Sequence, residues 1–307
     1  MPSPERLAPR VSVIMRSKNS DWVIGEALAA LFSQRFRNFE LLIVDSGSTD
    51  RTLDIVRQYP HRLIRIEPDE YHPGRVLNTA IAQSRGEILV FQNSDAVPLT
   101  NTTLERLVAA FDDVQVQAAL ARQLPRPDAA AWVRQDYARS FPDAGHTPAW
   151  ITLSLPMAAM RRTAWEQHPF YIDCWGSEDT EWGHWARSHG LQVRYVQDAL
   201  IMHSHNYTLR QLYGRRFIEG EADAFIYRSE AGLATMLRGV ARSCVGDLSA
   251  CLAAGDYGAM PMIAARRAVY HWSYYQGLRL GRARIRGRNR DSGTGQRIVL
   301  TRHESVR

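Results

Sequence analysis

The chain has 307 residues, of which 45% are hydrophobic and 23% charged, so it is long enough to bury a sizeable core. This composition excludes a largely disordered protein and a small disulfide-stapled one. The formal net charge of +6 is uneven, since residues 261–307 carry 11 Arg against Asp291 and Glu304, and the rest of the chain is net negative. A net negative body argues against nucleic acid as a partner.

The cysteines, Cys174, Cys244 and Cys251, are too few and too irregularly spaced for structural zinc or a disulfide framework. The first ten residues contain no apolar signal segment, and the longest uncharged run, residues 147–160, is interrupted by two prolines. We therefore expect a protein of the reducing cytoplasm.

Strands and helices alternate along the first part of the chain. Apolar runs at residues 11–15, 41–44, 63–66 and 88–91 predict strands, and the first, second and fourth of these are expected to be buried. Four helices are predicted between and after these strands. The first is capped by Ser20, the next two span residues 50–59 and 74–84, and the fourth starts at Thr100 or Thr102. This alternation predicts an α/β fold with a mostly parallel sheet flanked by helices.

A polar cluster follows the carboxyl end of three predicted strands, at residues 16–19, 45–50 and 93–95. Open α/β sheets bind their ligands at this rim. Each cluster alone is equally typical of a capped turn, whereas three of them on one rim indicate a binding site.

The apolar pattern loosens after Val114. The next predicted elements are a strand over 151–157, a short helix or turn over 161–167, a helix over 177–189, and strands over 193–196 and 200–203. Thr208 and Gln211 match a capping box, and helices are predicted over 208–228, 231–253 and 260–280. The charged, Gly-rich sequence past Ile285 predicts disorder.

Asp95 follows a buried strand, where a carboxylate can hold a divalent cation. His203 and His205 end a short predicted strand and offer nitrogen ligands, and such a donor set suits Mn²⁺ or Mg²⁺. The alternative interpretation is that both histidines are ordinary loop residues.

Residues 175–179, Trp-Gly-Ser-Glu-Asp, form the most specific local cluster, in which Ser177 can cap the following helix. Acidic residues in a first helical turn are favoured by the helix dipole alone. Asp179, however, shares a helical face with Trp182 and Ala186, which are predicted to face the core. This arrangement predicts an inward carboxylate placed as a general base.

Four segments in this order carry a resemblance: VSVIMRSKN, LLIVDSGSTDRT, GRVLNTAIAQSRGEILVFQNSDAVP and WGSEDTEW. They resemble glycosyltransferase family 2, the inverting enzymes with a GT-A fold, over residues 11–221. The HSHNYT run and the basic helix after it are similar to bacterial members that transfer sugars such as rhamnose to polysaccharide intermediates. We expect a leader over 1–10, a GT-A domain over 11–221, a helical extension over 222–284 and a basic disordered tail over 285–307.

The resemblance implies a donor pocket at the rim, in which Asp45 accepts a hydrogen bond from a pyrimidine base. Asp95 would be the metal-binding acid of the DxD motif, with His203 as a further ligand of Mn²⁺ or Mg²⁺. The other residues implied in nucleotide-sugar binding are Arg16, Ser17, Asn19, Arg75, Asn78, Asn93 and Ser94.

The resemblance also implies that Asp179 deprotonates the acceptor hydroxyl, while Trp175, Gly176 and Glu178 shape the acceptor pocket. The implied reaction moves a sugar with inversion from a UDP- or dTDP-sugar to a hydroxyl of a saccharide or lipid-linked acceptor, in the assembly of cell-surface polysaccharide.

One departure concerns the metal, because Asn93 stands where the first acid of DxD is expected. If the metal is dispensable, Arg215 or Arg216 would neutralise the diphosphate. The favoured alternative is that both arginines lie on a solvated helix face. Because of Asn93, the alternative also remains that the protein is a catalytically inactive module that binds a nucleotide sugar. A sugar nucleotidyltransferase is disfavoured, since residues 16–19 contain no glycine.

The C-terminal segment is aromatic and then basic. Aromatic residues occur at Tyr270, Trp272, Tyr274 and Tyr275, and arginines at helical spacing at Arg279, Arg282, Arg286 and Arg290. A basic helix with interfacial aromatics suits peripheral contact with an anionic membrane, and a solvated basic tail is the alternative.

Overall fold

The computed structural model describes residues 9–230, 232–287 and 293–304. Its strands are β1 (Val11–Ser17), β2 (Phe39–Asp45), β3 (Arg62–Arg65), β4 (Ile88–Gln92), β5 (Val97–Pro98), β6 (Val116–Leu124), β7 (Met157–Arg161) and β8 (Gln192–Met202). They form one mixed sheet in the order β3-β2-β1-β4-β7-β6-β8-β5. The predicted α/β class is confirmed.

The first four strands form the parallel half of the sheet, with β1 between β2 and β4, and β3 outside β2. The connecting helices are α1 (Ile24–Phe32), α2 (Thr52–Val56) and α3 (Pro73–Gln83). Val13 and Ile14 point into different apolar cores, one on each face of the sheet. Burial on both faces explains why the sequence of β1 is an unbroken apolar run.

The prediction of a strand over residues 151–157 is wrong. The strand begins at Met157, as β7, and lies antiparallel between β4 and β6. Pro156 has no backbone N–H to pair, and the N–H of Leu155 donates to the carboxylate of Asp179 at 3.2 Å instead of to a strand. β6 was not predicted, because its sequence VQAALARQL interrupts the apolar pattern with Gln and Arg.

The two strands predicted over 193–196 and 200–203 are one strand, β8. Its pairing with β6 shifts where Ala121 opposes Val196 and the next residue, Arg122, opposes Leu200. Three residues of β8 are therefore accommodated in an irregularity, which breaks the apolar pattern of the sequence without ending the strand.

The remaining helices are α4 (Thr103–Ala109), α5 (Ala131–Ser140), α6 (Arg162–Gln167), α7 (Glu178–Ser188), α8 (Leu209–Ile226), α9 (Leu233–Ala254), α10 (Ile263–Ile285) and α11 (Gly293–Glu304). The capping box at Thr208 and Gln211 is present at the start of α8, as predicted. α5 was not predicted, since its sequence AWVRQDYARS carries one buried apolar residue, Val133.

Two predicted helix caps are corrected. Ser20 lies in a turn before α1, whose N-cap is Val23, and its hydroxyl bonds to Lys18 and Ser94 rather than to the helix. Ser177 occupies the N-cap position of α7 with a left-handed φ of 61°, but its side chain makes no capping hydrogen bond.

Helices α8 and α10 pack closely because glycines face the opposing backbone. A Cβ on Gly277 would lie 1.9 Å from the carbonyl oxygen of Phe217, and one on Gly220 would lie 2.2 Å from that of Tyr274. α8 crosses the predicted domain boundary at residue 221, so the helical extension packs against a helix that begins in the predicted catalytic domain.

The predicted disorder past Ile285 is corrected for part of the segment. Gly293–Glu304 forms α11, which packs on α8, with Val299 6% exposed and Ile298 against Gly214. Residues 1–8 of the predicted leader and Arg290 lie outside the described residues. Among the helices that the structure describes, none is long and apolar enough to cross a membrane.

Candidate active site

The three polar clusters meet at one rim of the sheet. The parallel pairing of β1 and β2 sets Ser17 beside Asp45. Asn19 joins the first two loops, since its N–H donates to Ser48 Oγ at 2.9 Å and its Oδ1 accepts from the N–H of Thr49 at 2.8 Å. The third loop is joined through Ser20 Oγ, which lies 2.9 Å from Ser94 Oγ.

Asp45 holds the turn that follows β2. Its carboxylate is fully buried, with Oδ1 accepting from the N–H groups of Gly47 (3.1 Å) and Ser48 (2.9 Å) and Oδ2 accepting from the Ser48 hydroxyl (2.5 Å). A carboxylate offers about four acceptor sites, so at least one remains for a nucleobase. The predicted contact with a base stays a prediction, and the turn itself is a role that the sequence also indicated.

Ser17 Oγ and His72 Nδ1 are among the buried side-chain polar atoms that have no partner within the described residues. Buried polar groups in folded proteins are nearly always hydrogen-bonded, so such atoms indicate a missing ligand or water. Ser17 was predicted to line the donor pocket. His72 was missed, although its position before the Pro-Gly pair that opens α3 could have indicated it.

Asp95, His203 and His205 form a metal-ligand cluster. Their ligand atoms all lie within 4.8 Å of one another, with His205 Nε2 3.2 Å and His203 Nε2 3.7 Å from the Asp95 carboxylate. Sequence reasoning left open which histidine takes part, and the fold brings both to Asp95. One carboxylate and two imidazoles are a donor set that could hold a divalent metal ion.

The surroundings of His203 favour its role as a ligand. Its Nδ1 lies 3.1 Å from Gln123 Oε1 and 3.3 Å from the Tyr137 hydroxyl. Gln123 is oriented by the bond from its Nε2 to Ser154 Oγ, at 2.7 Å. An Nδ1–H that donates to Gln123 leaves the Nε2 lone pair facing Asp95, the tautomer that metal-binding histidines adopt.

Asp179 begins α7 and points inward, as predicted. Its Oδ2 accepts from the N–H of Leu155, and its Oδ1 accepts from the N–H of Thr180 at 2.8 Å. Burial, followed by repulsion from the adjacent Glu178, raises the pKa of Asp179 to about 6. A carboxylate with this pKa is ionised at neutral pH and is a stronger base than an exposed aspartate.

The predicted acceptor residues surround the start of α7. Glu178 accepts from Arg16 Nη1 at 2.6 Å and joins the acceptor segment to the end of β1. The Trp175 ring lies 4.5 Å from the ring of His72, and a Cβ on Gly176 would come within 2.8 Å of Ile218 on α8. The fold therefore brings Arg16, Trp175, Gly176 and Glu178 together with Asp179.

Asn78 forms hydrogen bonds to Trp165 and Phe170 that the sequence did not predict. Its Oδ1 accepts from Trp165 Nε1 (2.9 Å) and Phe170 N–H (3.0 Å), while its Nδ2 donates to the Phe170 carbonyl (2.8 Å). These bonds hold the segment that precedes α7, and the predicted contact of Asn78 with the donor stays a prediction. Arg75, from the same helix, is exposed.

The two arginines considered as alternatives to a metal differ in position and exposure, since the side chain of Arg215 is 41% exposed and that of Arg216 is 20% exposed. Arg215 Nη1 donates to the Tyr207 hydroxyl at 3.0 Å, and the Tyr207 ring stacks on His205. Arg216 lies over the rings of Tyr270 and Tyr274 and pairs with Glu219. Arg215 is thus linked to the metal cluster, whereas Arg216 packs the helical extension.

A family profile described as "Glycosyl transferase family 2" matches residues 12–180. Among curated proteins, the O-antigen chain rhamnosyltransferase WbaN of Salmonella anatum is 30% identical over 200 residues, which are 59% of this chain and 61% of that protein. RfbN of Salmonella typhimurium, also an O-antigen chain rhamnosyltransferase, is 25% identical over 69% of this chain and 71% of its own length. The chain therefore spans about three fifths of the first relative.

Solved structures share the fold at low identity. A mannosyltransferase from Pyrobaculum calidifontis, in complex with GDP-Man and Mn²⁺, has a TM-score of 0.64 at 20% identity and covers 90% of this chain and 88% of its own. Residues 1–349 of TarS from S. aureus, in complex with UDP, have a TM-score of 0.54 at 18% identity over 92% and 93% of the two chains. The GT-A fold implied by the sequence is confirmed.

Proposed function

The chain belongs to glycosyl transferase family 2, and from that premise we propose that it is an inverting glycosyltransferase. The donor is a nucleotide diphosphate sugar, with UDP or dTDP as the nucleotide. The acceptor is a hydroxyl of a saccharide or lipid-linked saccharide in cell-surface polysaccharide assembly. The rhamnosyltransferase relatives support this class of reaction, while the cytoplasmic location stays a prediction from the sequence.

The position and the raised pKa of the Asp179 carboxylate are the main support for this proposal. A partly buried carboxylate with its pKa raised to about 6 stands at the rim where the three polar loops of the α/β sheet converge. The N–H groups of Leu155 and Thr180 fix both of its oxygens, so the group cannot rotate away from the pocket. Such a group is suited to accept the proton of an acceptor hydroxyl as that oxygen attacks the sugar.

The donor end of the pocket is built by other residues. Ser17 Oγ and His72 Nδ1 are buried and lack a protein partner within the described residues, so hydroxyls of a nucleotide sugar would satisfy them. Asp95, His203 and His205 would hold Mn²⁺ or Mg²⁺, which when bound would stabilise the charge of a diphosphate. Arg215, which also pairs with Glu219 at 2.8 Å, lies beyond Tyr207 on the same side.

The proposed reaction needs one base and one site for negative charge. The acceptor oxygen attacks the anomeric carbon, its proton goes to Asp179, and the bond from sugar to diphosphate breaks. The nucleoside diphosphate leaves with its new negative charge on the side of Arg215. Attack from the face opposite the leaving group inverts the anomeric centre, so no covalent enzyme intermediate is required.

The substitution Asp179→Asn tests the proposal. Nucleoside diphosphate release would be measured with UDP-, dTDP- and GDP-sugars and a saccharide acceptor, and donor binding by calorimetry. We expect donor affinity to change little and turnover to fall by about 10²–10⁴-fold, as for loss of a general base.

Glu181→Gln is the matched control, since Glu181 lies on the same helix but pairs with His168 at 3.0 Å. This variant should keep near wild-type turnover. Unchanged turnover in Asp179→Asn would refute the assigned base. Binding of a nucleotide sugar without turnover by the wild-type chain, across the acceptors tried, would instead favour an inactive binding module.

A further inference from the structure

Helix α9 presents its apolar residues to the outside of the protein. Leu237, Val245, Leu248 and Leu252 are 57%, 66%, 44% and 54% exposed. With Ala241 they recur at intervals of four, four, three and four residues, so they lie on one side of the helix, here called the outer stripe. An apolar stripe of this length is normally the side by which a helix packs into its core.

The side of α9 that does pack is small and polar. Gly239 lies against the ring of His271, and Ser243 Oγ is 2.9 Å from His271 Nε2. Asp247 is buried and accepts from Arg267 of α10, with its Oδ2 2.7 Å from Nε. Because these residues fill the contact with α10, the outer stripe is left for another partner.

The charge around the outer stripe indicates what that partner is. Of the eight Arg in residues 232–287, Arg267, Arg282, Arg284 and Arg286 pair with acids, whereas Arg238, Arg242, Arg266 and Arg279 have no ion pair among the described residues. Asp247 is buried in its pair with Arg267, so Asp256 is the one acid of this segment that is not fully buried. An apolar stripe amid excess positive charge is complementary to an anionic lipid surface.

Two arginines are placed to take part. Arg238 and Arg242 are exposed on α9 beside the outer stripe, and neither has an acidic partner among the described residues. Their long side chains can reach lipid head groups while the leucines enter the boundary of the acyl chains.

The aromatic and basic face predicted from the sequence is less available. The Tyr274 hydroxyl donates to Asp223, the guanidinium of Arg216 covers the rings of Tyr270 and Tyr274, and Arg282 pairs with Glu230. Tyr270, Tyr274 and Arg282 are therefore engaged within the protein. Trp272 stays 40% exposed on α10, but the longer row of exposed apolar residues lies on α9.

We propose that the outer stripe of α9, flanked by Arg238 and Arg242, docks the protein on an anionic lipid bilayer. This contact is peripheral and does not depend on the proposed transfer reaction. A lipid-linked acceptor would give it a purpose, since docking would hold the pocket near the bilayer surface.

Sedimentation with lipid vesicles tests the proposal. The full chain should bind vesicles of phosphatidylglycerol mixed with phosphatidylcholine, and binding should weaken in high salt or with phosphatidylcholine alone. Val245→Glu with Leu248→Glu should lower binding by about tenfold or more, because it places charge in the inserted stripe. Arg238→Gln with Arg242→Gln should weaken binding to anionic vesicles specifically.

The matched control is Val114→Glu with Trp150→Glu, which adds the same charge at residues that are 73% and 62% exposed outside α9. It should bind vesicles more tightly than the α9 glutamate pair. Absence of vesicle binding by the wild-type chain, or equal loss in the control, would overturn the proposal. A dimer in light scattering that Val245→Glu with Leu248→Glu dissociates, without vesicle binding, would assign the stripe to a second copy instead.

Discussion

Acidic residues at the start of a helix are either charges that favour the helix dipole or groups that take part in a reaction, and we propose that α7 contains one of each kind. Glu178 pairs with Arg16 Nη1 at 2.6 Å and joins the start of α7 to β1. Asp179, one residue later, faces the sheet rim, and its pKa is raised by burial and by Glu178. The helical face shared with Trp182 was sufficient to predict the orientation of Asp179, but not its partners.

The raised pKa of Asp179 predicts a pH dependence of both activity and stability. Turnover should rise with pH and inflect near 6, since the base acts when ionised. Below pH 3.8 both folded and unfolded states bind the proton, and stability is lost as pH rises through about 6. Relative to Asp179→Asn, wild type should therefore lose up to roughly 3 kcal/mol between about pH 4 and 7.

Chemical denaturation of both proteins at a series of pH values measures this difference. The Asp179→Asn variant leaves one N–H poorly paired at every pH, so the slope with pH, rather than the absolute stability, is the informative quantity. Parallel curves would contradict the raised pKa.

A second prediction at the residue scale concerns Gln123, which lies beside His203 Nδ1. Gln123→Leu removes the acceptor for His203 Nδ1 and with it the control of tautomer and ring orientation. Mn²⁺ affinity, measured by calorimetry, should fall by about 10–100-fold. Gln117→Leu on the same strand is the control, since its side chain bonds to local carbonyls and it should bind Mn²⁺ normally.

At the scale of elements, backbone contacts between helices explain the C-terminal architecture. α8 carries Arg215 and Gly220, so the helix that borders the metal cluster is also the helix on which α10 lies. Close approach requires residues without a Cβ on both helices. The sequence predicted α8, α9 and α10. A glycine inside a helix normally destabilises it, so its part in close packing is recognised only when the opposing backbone is known.

Alanine substitutions should affect stability differently at a glycine that contacts the opposing helix and at a glycine that has no neighbour. Gly277→Ala drives a Cβ into the carbonyl of Phe217 and should lower the free energy of unfolding by about 1–3 kcal/mol or more. Gly246→Ala, on α9 with nothing within 4 Å of its Cβ, should raise it by about 0.5–1 kcal/mol. Thermal denaturation measures both, and equal shifts would refute the close contact.

At the scale of the whole molecule, the charged C-terminal region is part of the fold. Sequence reasoning treated residues 285–307 as a tail, yet α11 returns to α8 and to the acceptor segment, where Gly295 lies against Trp175. Its short apolar pair, Ile298 and Val299, is too small a pattern to predict a packed helix from the sequence.

Ending the chain after Gly287 tests the packing of α11. Loss of buried Val299 and of the contact between Ile298 and Gly214 should lower the free energy of unfolding by about 2 kcal/mol and the melting temperature with it. A chain that ends after Glu304 keeps α11 and should melt like the full chain. An unchanged melting temperature after Gly287 would support the original prediction of disorder.

The sequence by itself determined the parallel half of the sheet and the three rim loops, and it singled out Asp179 and Asp95 as candidate functional residues. These follow from local patterns, because a strand buried on both faces and a polar loop at its carboxyl end are visible in a few consecutive residues. The resemblance to family 2 then assigned roles to the same positions.

The tertiary structure alone decided which of these side chains meet. His205 joins Asp95 across more than a hundred residues, Asn78 turns to Phe170, and Ser17 Oγ is left without a partner among the described residues. β6 and β7 likewise became strands through their neighbours rather than their own patterns. Long-range pairing depends on how separate segments pack, and no single segment of the sequence encodes it.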